Sequence, residues 1–285
     1  MKKEEYLEKV ALANLWMRAY YEKDEPLASD EEYDALIREL RVFEEQNKDE
    51  ISKDSPTQKI APTIQSEFKK IAHLKRMWSM EDVFDESELR AWAKRAKCEK
   101  NFFIEPKFDG ASLNLLYENG KLVSGATRGD GEAGEDITLN VFEIENIPKN
   151  IAYKERIEIR GEVVILKDDF EKINEKRALL NQSLFANPRN AASGSLRQLD
   201  TSITKERNLK FYPWGVGENT LNFTKHSEVM QFIRELGFLK DDFVRLCANL
   251  DEVLKAYDEL LALREKKPMM MDGMVVRVDD LALCE

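Results

Sequence analysis

Hydrophobic residues along the first fifty positions recur at helical spacing. Tyr6, Val10, Ala13, Met17 and Tyr20 alternate steps of four and three, which places them on one stripe and predicts a helix over residues 3–22. Pro26 breaks the pattern. A second helix is predicted over "SDEEYDALIRELRVFEEQ", with Ser29 as N-cap and Glu32 completing a capping box. Tyr33, Leu36, Ile37 and Leu40 form its apolar face, so the first stretch reads as a helical hairpin. Residues 52–66, "SKDSPTQKIAPTIQS", carry two prolines and many polar residues and read as a linker or an extended connection.

The period then changes. "FFIEPKF" and "ASLNLLYENGKLVSGAT" are strand-like, and Asn119-Gly120 is a strong signal for a two-residue hairpin turn. "RIEIRGEVVIL" alternates, which puts Glu158, Arg160 and Glu162 on one face and Ile157 and Ile159 on the other. Helices are predicted near 85–97 and at 168–180, 226–236 and 250–266, with Gly237 suited to the C′ position of the third of these. A last strand runs through "DGMVVRV". Helices and strands mix without regular βαβ alternation, which predicts the α+β class.

Composition narrows the field. Of 285 residues, 42% are hydrophobic, enough for a core, and the formal net charge of −11 excludes a basic footprint spread over the whole surface. Cys98, Cys247 and Cys284 are odd in number and far apart, so neither a disulfide framework nor a zinc site is expected. Free thiols, an acidic first turn and the lack of a long apolar run predict a cytoplasmic protein with no membrane partner. With His73 and His226 as the only histidines, His-based catalysis is not expected, and His73 reads as structural.

The candidate chemistry centres on Lys107 and Asp109 in "EPKFDG". Such a motif alone equally describes a lysine in a turn. Its neighbours are "TRGDGEAGED" with Arg128, "RGEV" with Arg160 and Glu162, "NPRNAASGSLRQLD" with Arg189 and Arg197 in what reads as a loop, and Arg277 in the last strand. Arginines match phosphate oxygens bidentately, glycines let backbone N–H groups approach phosphate, and carboxylates orient ribose hydroxyls or a hydrated Mg²⁺. That collection suits phosphoryl or nucleotidyl transfer, with Lys107 as covalent nucleophile. A free lysine is protonated near neutral pH, so the role requires desolvation or neighbouring cations. Periodicity leaves Tyr20 between core packing and ligand contact, and composition leaves Trp214 equally a core aromatic.

Taken in order, "YYEKDEPLASDEEYD", "SPTQ", "HLKRMWSMEDVF", "EPKFDG", "TRGDG", "RGEV", "NPRNAASGSLRQLD", "FYPWGVG" and "DGMVVRV" resemble the N-terminal adenylation region of NAD⁺-dependent DNA ligases over essentially the whole chain. The resemblance implies a helical subdomain with linker at 1–65, recognising NAD⁺ and nicotinamide mononucleotide (NMN), and a nucleotidyltransferase domain with antiparallel sheets at 66–285. It implies that Lys107 attacks the α-phosphate of NAD⁺, releases NMN and becomes lysyl-AMP, with Asp109 assisting and Arg277 at a catalytic position. It places Ser79, Met80, Glu105 and Trp214 around adenosine, Arg128 and Glu162 on ribose or phosphate, and Arg189 and Arg197 on AMP, phosphate or the nick. Tyr20, Tyr21, Asp30, Tyr33 and Asp34 would embrace the NMN half. The implied cofactors are NAD⁺ and Mg²⁺, and the implied partner of a longer, monomeric enzyme is nicked DNA.

Three departures accompany it. Tyr21 stands where the family carries histidine, Arg277 stands where it carries lysine, and Glu285 precedes the family's last lysine motif, so the chain is expected to be part of a longer enzyme. The alternatives are a fragment that binds NAD⁺ or AMP without turnover, or another lysine nucleotidyltransferase of the ATP-dependent ligase or RNA-capping type.

Overall fold

The computed structural model describes residues 1, 3–23, 27–28, 30–57 and 68–283. Helices α1 (Lys3–Lys23) and α2 (Asp30–Gln46) form the predicted hairpin. Tyr6, Val10, Ala13, Leu36, Leu40 and Phe43 bury between them, and the rings of Tyr6 and Phe43 stack at 4.4 Å. The predicted N-cap Ser29 lies outside the described residues, as do the side chains of Tyr20, Tyr21, Asp30 and Asp34. Residues 52–57 form neither helix nor strand and lie against the helices. Ser55 is buried and its hydroxyl donates to Glu44 Oε1 at 2.6 Å, while the Tyr6 hydroxyl donates to the same oxygen at 2.8 Å and accepts from Ser52 N–H at 3.0 Å. These bonds satisfy a buried carboxylate and so tie the segment to the helices.

The larger part contains β1 (Lys70–Ala72), α3 (Glu86–Arg95), β2 (Phe102–Phe108), β3 (Ala111–Glu118), β4 (Lys121–Thr127), β5 (Ala133–Glu135), α4 (Thr138–Phe142) and β6 (Ile157–Val164). There follow α5 (Lys167–Leu179), α6 (Pro188–Leu196), α7 (Thr201–Glu206), β7 (Lys210–Val216), α8 (His226–Glu235), β8 (Arg245–Cys247), α9 (Leu250–Leu263) and β9 (Met271–Val278). The strands pair antiparallel in sheets ordered β4-β3-β6-β7, β8-β2-β9 and β1-β5. This is an α+β architecture, as predicted.

Local chemistry explains the elements. Glu118 pairs with Lys121 across Asn119 (φ 53°) and Gly120 (φ 74°), the signs a type I′ turn needs. Helix α8 ends on Gly237 (φ 97°), whose N–H reaches the Arg234 carbonyl while Phe238 N–H reaches that of Ile233, a Schellman closure. The expected loop "NPRNAASGSLRQLD" is corrected, because its centre is helix α6. Asn187 caps it through Asn190 N–H at 2.8 Å, and Pro188 opens the first turn. Its buried Ala191, Ala192, Gly194 and Ser195 are small enough to let the helix lie against β3 and β6.

Alternation along β2 positions the site. Phe102 and Ile104 enter a core with α3 and α9, whereas Phe103 enters the core built on the four-stranded sheet and α8. Phe103, Glu105 and Lys107 therefore share the face turned toward that sheet.

Candidate active site

Lys107 closes the regular part of β2. It pairs with Gly273, and the register then slips so that Phe108 pairs with Met271, leaving Asp272 as the extra residue of a bulge. A side chain at Gly273 would meet nothing within 4 Å, so the space beside the lysine is open. The Lys107 ammonium lies 2.9 Å from Asp82 Oδ1, both groups being part-exposed. Beyond the strand, a Cβ on Gly110 would stand 2.3 Å from the Val163 carbonyl oxygen, so only glycine lets the chain cross β6 this closely.

That crossing gathers charge around Glu162. Burial pushes its carboxyl up to about 7, against the pull of Arg189, the Ser112 hydroxyl at 2.9 Å and Arg128, with Asp109 pushing the same way as burial. Asp109, Arg128 and Arg189 thus all act on Glu162. Nearby, burial raises the Glu105 carboxyl, offset by Arg277, whose Nε donates to Glu105 Oε1 at 3.1 Å. The Arg277 guanidinium also lies over the Trp214 ring, 5.5 Å from its centroid, which joins the three-stranded sheet to β7.

Met80, Lys107, Arg189 and Arg277 line a cavity of about 1080 Å³ that Trp16 and Tyr33 of the helical hairpin also border. Ser79 is exposed next to Met80. Arg197 is the C-cap residue of α6. It pairs with Glu135 at 2.8 Å and ties the end of α6 to β5. Arg160, grouped with the phosphate-binding candidates in the sequence, is instead buried. It pairs with Glu158 at 3.0 Å and donates to the carbonyls of Lys75 and Arg76. Alternation sets its face correctly, but a carboxylate two residues away on that face claims the guanidinium.

Asp82 and His226 were not singled out as site residues by the sequence. Nothing in the composition around Asp82 marks it, since its link to Lys107 spans 25 residues. His226 is buried on the cavity wall and makes a T-shaped contact with Phe103 at 4.8 Å. Burial, then Arg277, push its imidazole down to about 3. Among the described residues, no group of three or more His, Cys, Asp or Glu side chains is placed to hold a metal ion, and no helix is long and apolar enough to cross a membrane.

A lysine amine at a strand end, set among arginines and carboxylates beside a nucleotide-sized cavity, fits an enzyme class that carries a nucleotide on lysine. Comparison with known proteins gives the particular family. Residues 65–285 match the NAD-dependent DNA ligase adenylation domain, and residues 4–61 match the DNA ligase-like N-terminal NAD⁺-binding domain. The chain belongs to the NAD-dependent DNA ligase family. A DNA ligase of Campylobacter jejuni strain RM1221 is 99% identical over 285 residues, covering all of this chain and 44% of that protein. A DNA ligase of Campylobacter lari strain RM2100 is 80% identical over 282 residues, covering 99% of this chain and 43% of that protein. The chain therefore spans less than half the length of these curated relatives. An ATP-dependent DNA ligase from bacteriophage T7 in complex with ATP aligns with 69% of this chain and 61% of its own at 15% identity and a TM-score of 0.36, too loose to carry an argument.

Proposed function

We propose that this chain performs the self-adenylation step of an NAD⁺-dependent DNA ligase. Lys107 Nζ, as the neutral amine, attacks the α-phosphorus of NAD⁺. A P–N bond forms, the phosphoanhydride P–O bond breaks, NMN leaves with the electron pair, and the lysine proton passes to solvent. In the full-length protein the AMP then moves to a 5′-phosphate at a DNA nick. The observation that supports this reading is Lys107, at the end of the regular part of β2, on the wall of a cavity that Met80, Arg189 and Arg277 also line, with Arg189 acting in turn on the buried Glu162.

In this reading Asp109 assists the nucleophile, Glu105 and Trp214 hold adenine with Ser79 and Met80, and Arg128 and Glu162 bind ribose or phosphate. Arg189 faces the transferred phosphate, Arg197 supports α6 beside it, and Arg277 bridges adenine wall and phosphate. The 1–65 subdomain supplies Tyr20, Tyr21, Asp30, Tyr33 and Asp34 to the NMN half, and the 66–285 domain does the chemistry. Two adjoining carboxylates, Asp109 and Glu162, without a protein cage fit a Mg²⁺ carried mainly by nucleotide phosphate and water. Bound there, Mg²⁺ supplies charge neutralisation at the phosphates. The protein is proposed to act as a monomer in the cytoplasm, and DNA contact to rest largely with the remainder of the full-length enzyme.

The test is intact mass spectrometry of the chain, cleared with NMN and then incubated with Mg²⁺ and either NAD⁺ or ATP. An AMP adduct from NAD⁺ alone, mapping to Lys107 and absent from Lys107→Ala, is the expected result. An adduct on Lys107→Ala, or one formed from ATP and not NAD⁺, would overturn it.

A further inference from the structure

The segment after β1 is strapped to the turn that carries Arg128. His73 N–H donates to the Glu132 carbonyl at 2.8 Å and Met77 N–H to that of Gly131 at 2.8 Å. Between these two bonds the His73 side chain reaches the Arg128 backbone carbonyl, with Nε2 at 3.0 Å, while its Nδ1 lies 3.1 Å from Asn114 Nδ2. An amide nitrogen only donates, so Nδ1 is the acceptor and the proton sits on Nε2, where it donates to Arg128. The Asn114 amide cannot turn over to reverse this. Its Nδ2 also donates to Glu158 Oε1 at 2.7 Å, and its Oδ1 faces Arg160 Nε at 3.4 Å.

Burial lowers the His73 imidazole below its ordinary value, outweighing the Arg128 carbonyl and Glu158, which favour the charged form, while Arg160 adds to burial and Asp130 opposes it. The ring is therefore neutral and its tautomer fixed. The result is a chain of donors and acceptors from Glu158 and Arg160 on β6, through Asn114 on β3 and His73, to the carbonyl of Arg128, which together with Arg189 acts on Glu162. The turn closes on itself through Gly131 N–H to the same Arg128 carbonyl at 3.0 Å, with Gly129 (φ 56°) and Gly131 (φ 86°) at positive φ, and His73 adds a second donor to that carbonyl from outside the turn.

We infer that His73 is a positioning residue for nucleotide binding, acting through the main chain of Arg128. This rests on the reading of Arg128 as a ribose or phosphate contact. His73 touches neither nucleotide nor Lys107. It holds the turn so that the guanidinium meets the bound phosphate or ribose without an ordering cost at the moment of binding.

Two amide variants separate the ring's two bonds. His73→Asn offers its oxygen near the Nδ1 position and keeps Asn114 satisfied, but cannot reach the Arg128 carbonyl. His73→Gln extends its amide N–H to the Nε2 position and keeps that bond. Titration of the 285-residue chain, cleared of adenylate, with AMP reads binding without any covalent step. We expect His73→Asn to weaken AMP roughly tenfold, the weight of one charge-assisted contact, and His73→Gln to restore most of it. In an Arg128→Ala background, itself weakened, His73→Asn should add little further loss. Equal losses for Asn and Gln, undiminished binding by His73→Asn or by Arg128→Ala, or losses that multiply in the double variant would each overturn the inference. Because AMP binding is read alone, a chain that never forms the lysyl adduct would refute the adenylation reading and leave this test standing.

Discussion

Glu158 offers the sharpest test of how the site is held. Its carboxylate accepts from Asn114 Nδ2 (2.7 Å) and Leu74 N–H (2.9 Å) on one oxygen, and from Glu218 N–H (3.0 Å), Arg160 Nη2 (3.0 Å) and Lys75 N–H (3.3 Å) on the other. Glu158→Gln keeps the shape but turns one oxygen into an NH₂ group that must face at least two donors. It also leaves the buried Arg160 guanidinium without its counter-charge. Breaking a buried pair from one side costs about 3–5 kcal/mol. At about 2–4 °C per kcal/mol for a domain of this size, Tm should fall by roughly 6–20 °C.

The pH dependence follows from the same contacts. Burial alone would raise the Glu158 carboxyl, but the donors of Glu218, Asn114, Leu74 and Arg160 prevail and hold it below its ordinary 4.5. A depressed folded-state pKa gives stability that is present above the unfolded value and lost as pH falls through the folded one. Parent and variant should therefore converge in acid. Urea denaturation across a pH series, with calorimetry at neutral pH, measures both. A neutral-pH loss under about 1 kcal/mol, or a gap that stays open in acid, would refute the reasoning.

Further variants probe other parts. Gly110→Ala must lift the chain from the Val163 carbonyl and separate Asp109 from Glu162, so adduct formation should drop on the order of a hundredfold by mass spectrometry; parental yield would dismiss the close crossing as a requirement. His226, whose pKa falls from 6.5 to about 3 on folding, makes the fold lose up to about 1.4 kcal/mol per pH unit as pH drops below 6.5, because only the unfolded chain takes up the proton. His226→Phe should flatten that slope, and an unchanged slope between pH 6 and 4 would contradict the buried neutral assignment. Asn119→Ala should cost about 1 kcal/mol through its positive φ and leave AMP affinity unchanged; urea denaturation and titration check the two halves.

Much of the fold was legible wherever a local rule governs it. Asn119-Gly120 fixed its hairpin, Gly237 ended its helix, and the 3.6-residue stripes of α1, α2, α8 and α9 are facts of local sequence. Helix α6 was not legible, because Ala, Ser and Gly carry no amphipathic stripe and its burial is decided by β3 and β6. The three-residue pair β1-β5 is too short to announce itself. In the site, Lys107, Asp109 and Glu162 stood out by type and spacing and Glu105 by the family resemblance, whereas their company did not. Asp82 beside Lys107 and Arg277 beside Glu105 are partnerships across 25 and 172 residues. Arg160 and Arg197 show the converse, since two arginines equally suited to phosphate on sequence are claimed by Glu158 and Glu135.

The placement of β2, the strand of Lys107, between β8 and β9 also sets an order of assembly. All four strands of the larger sheet lie within residues 111–216, so that sheet can close while synthesis continues. The lysine's own strand precedes them in the chain yet finds both of its neighbours only within residues 245–278. At about 5–20 residues per second, roughly 3–12 s separate completion of the larger sheet from the emergence of β9. Until β8 emerges about halfway through that interval the strand of Lys107 has neither neighbour, and its β9 edge stays unpaired to the end. Until then the cavity lacks the wall that residues 272–278, Arg277 among them, provide.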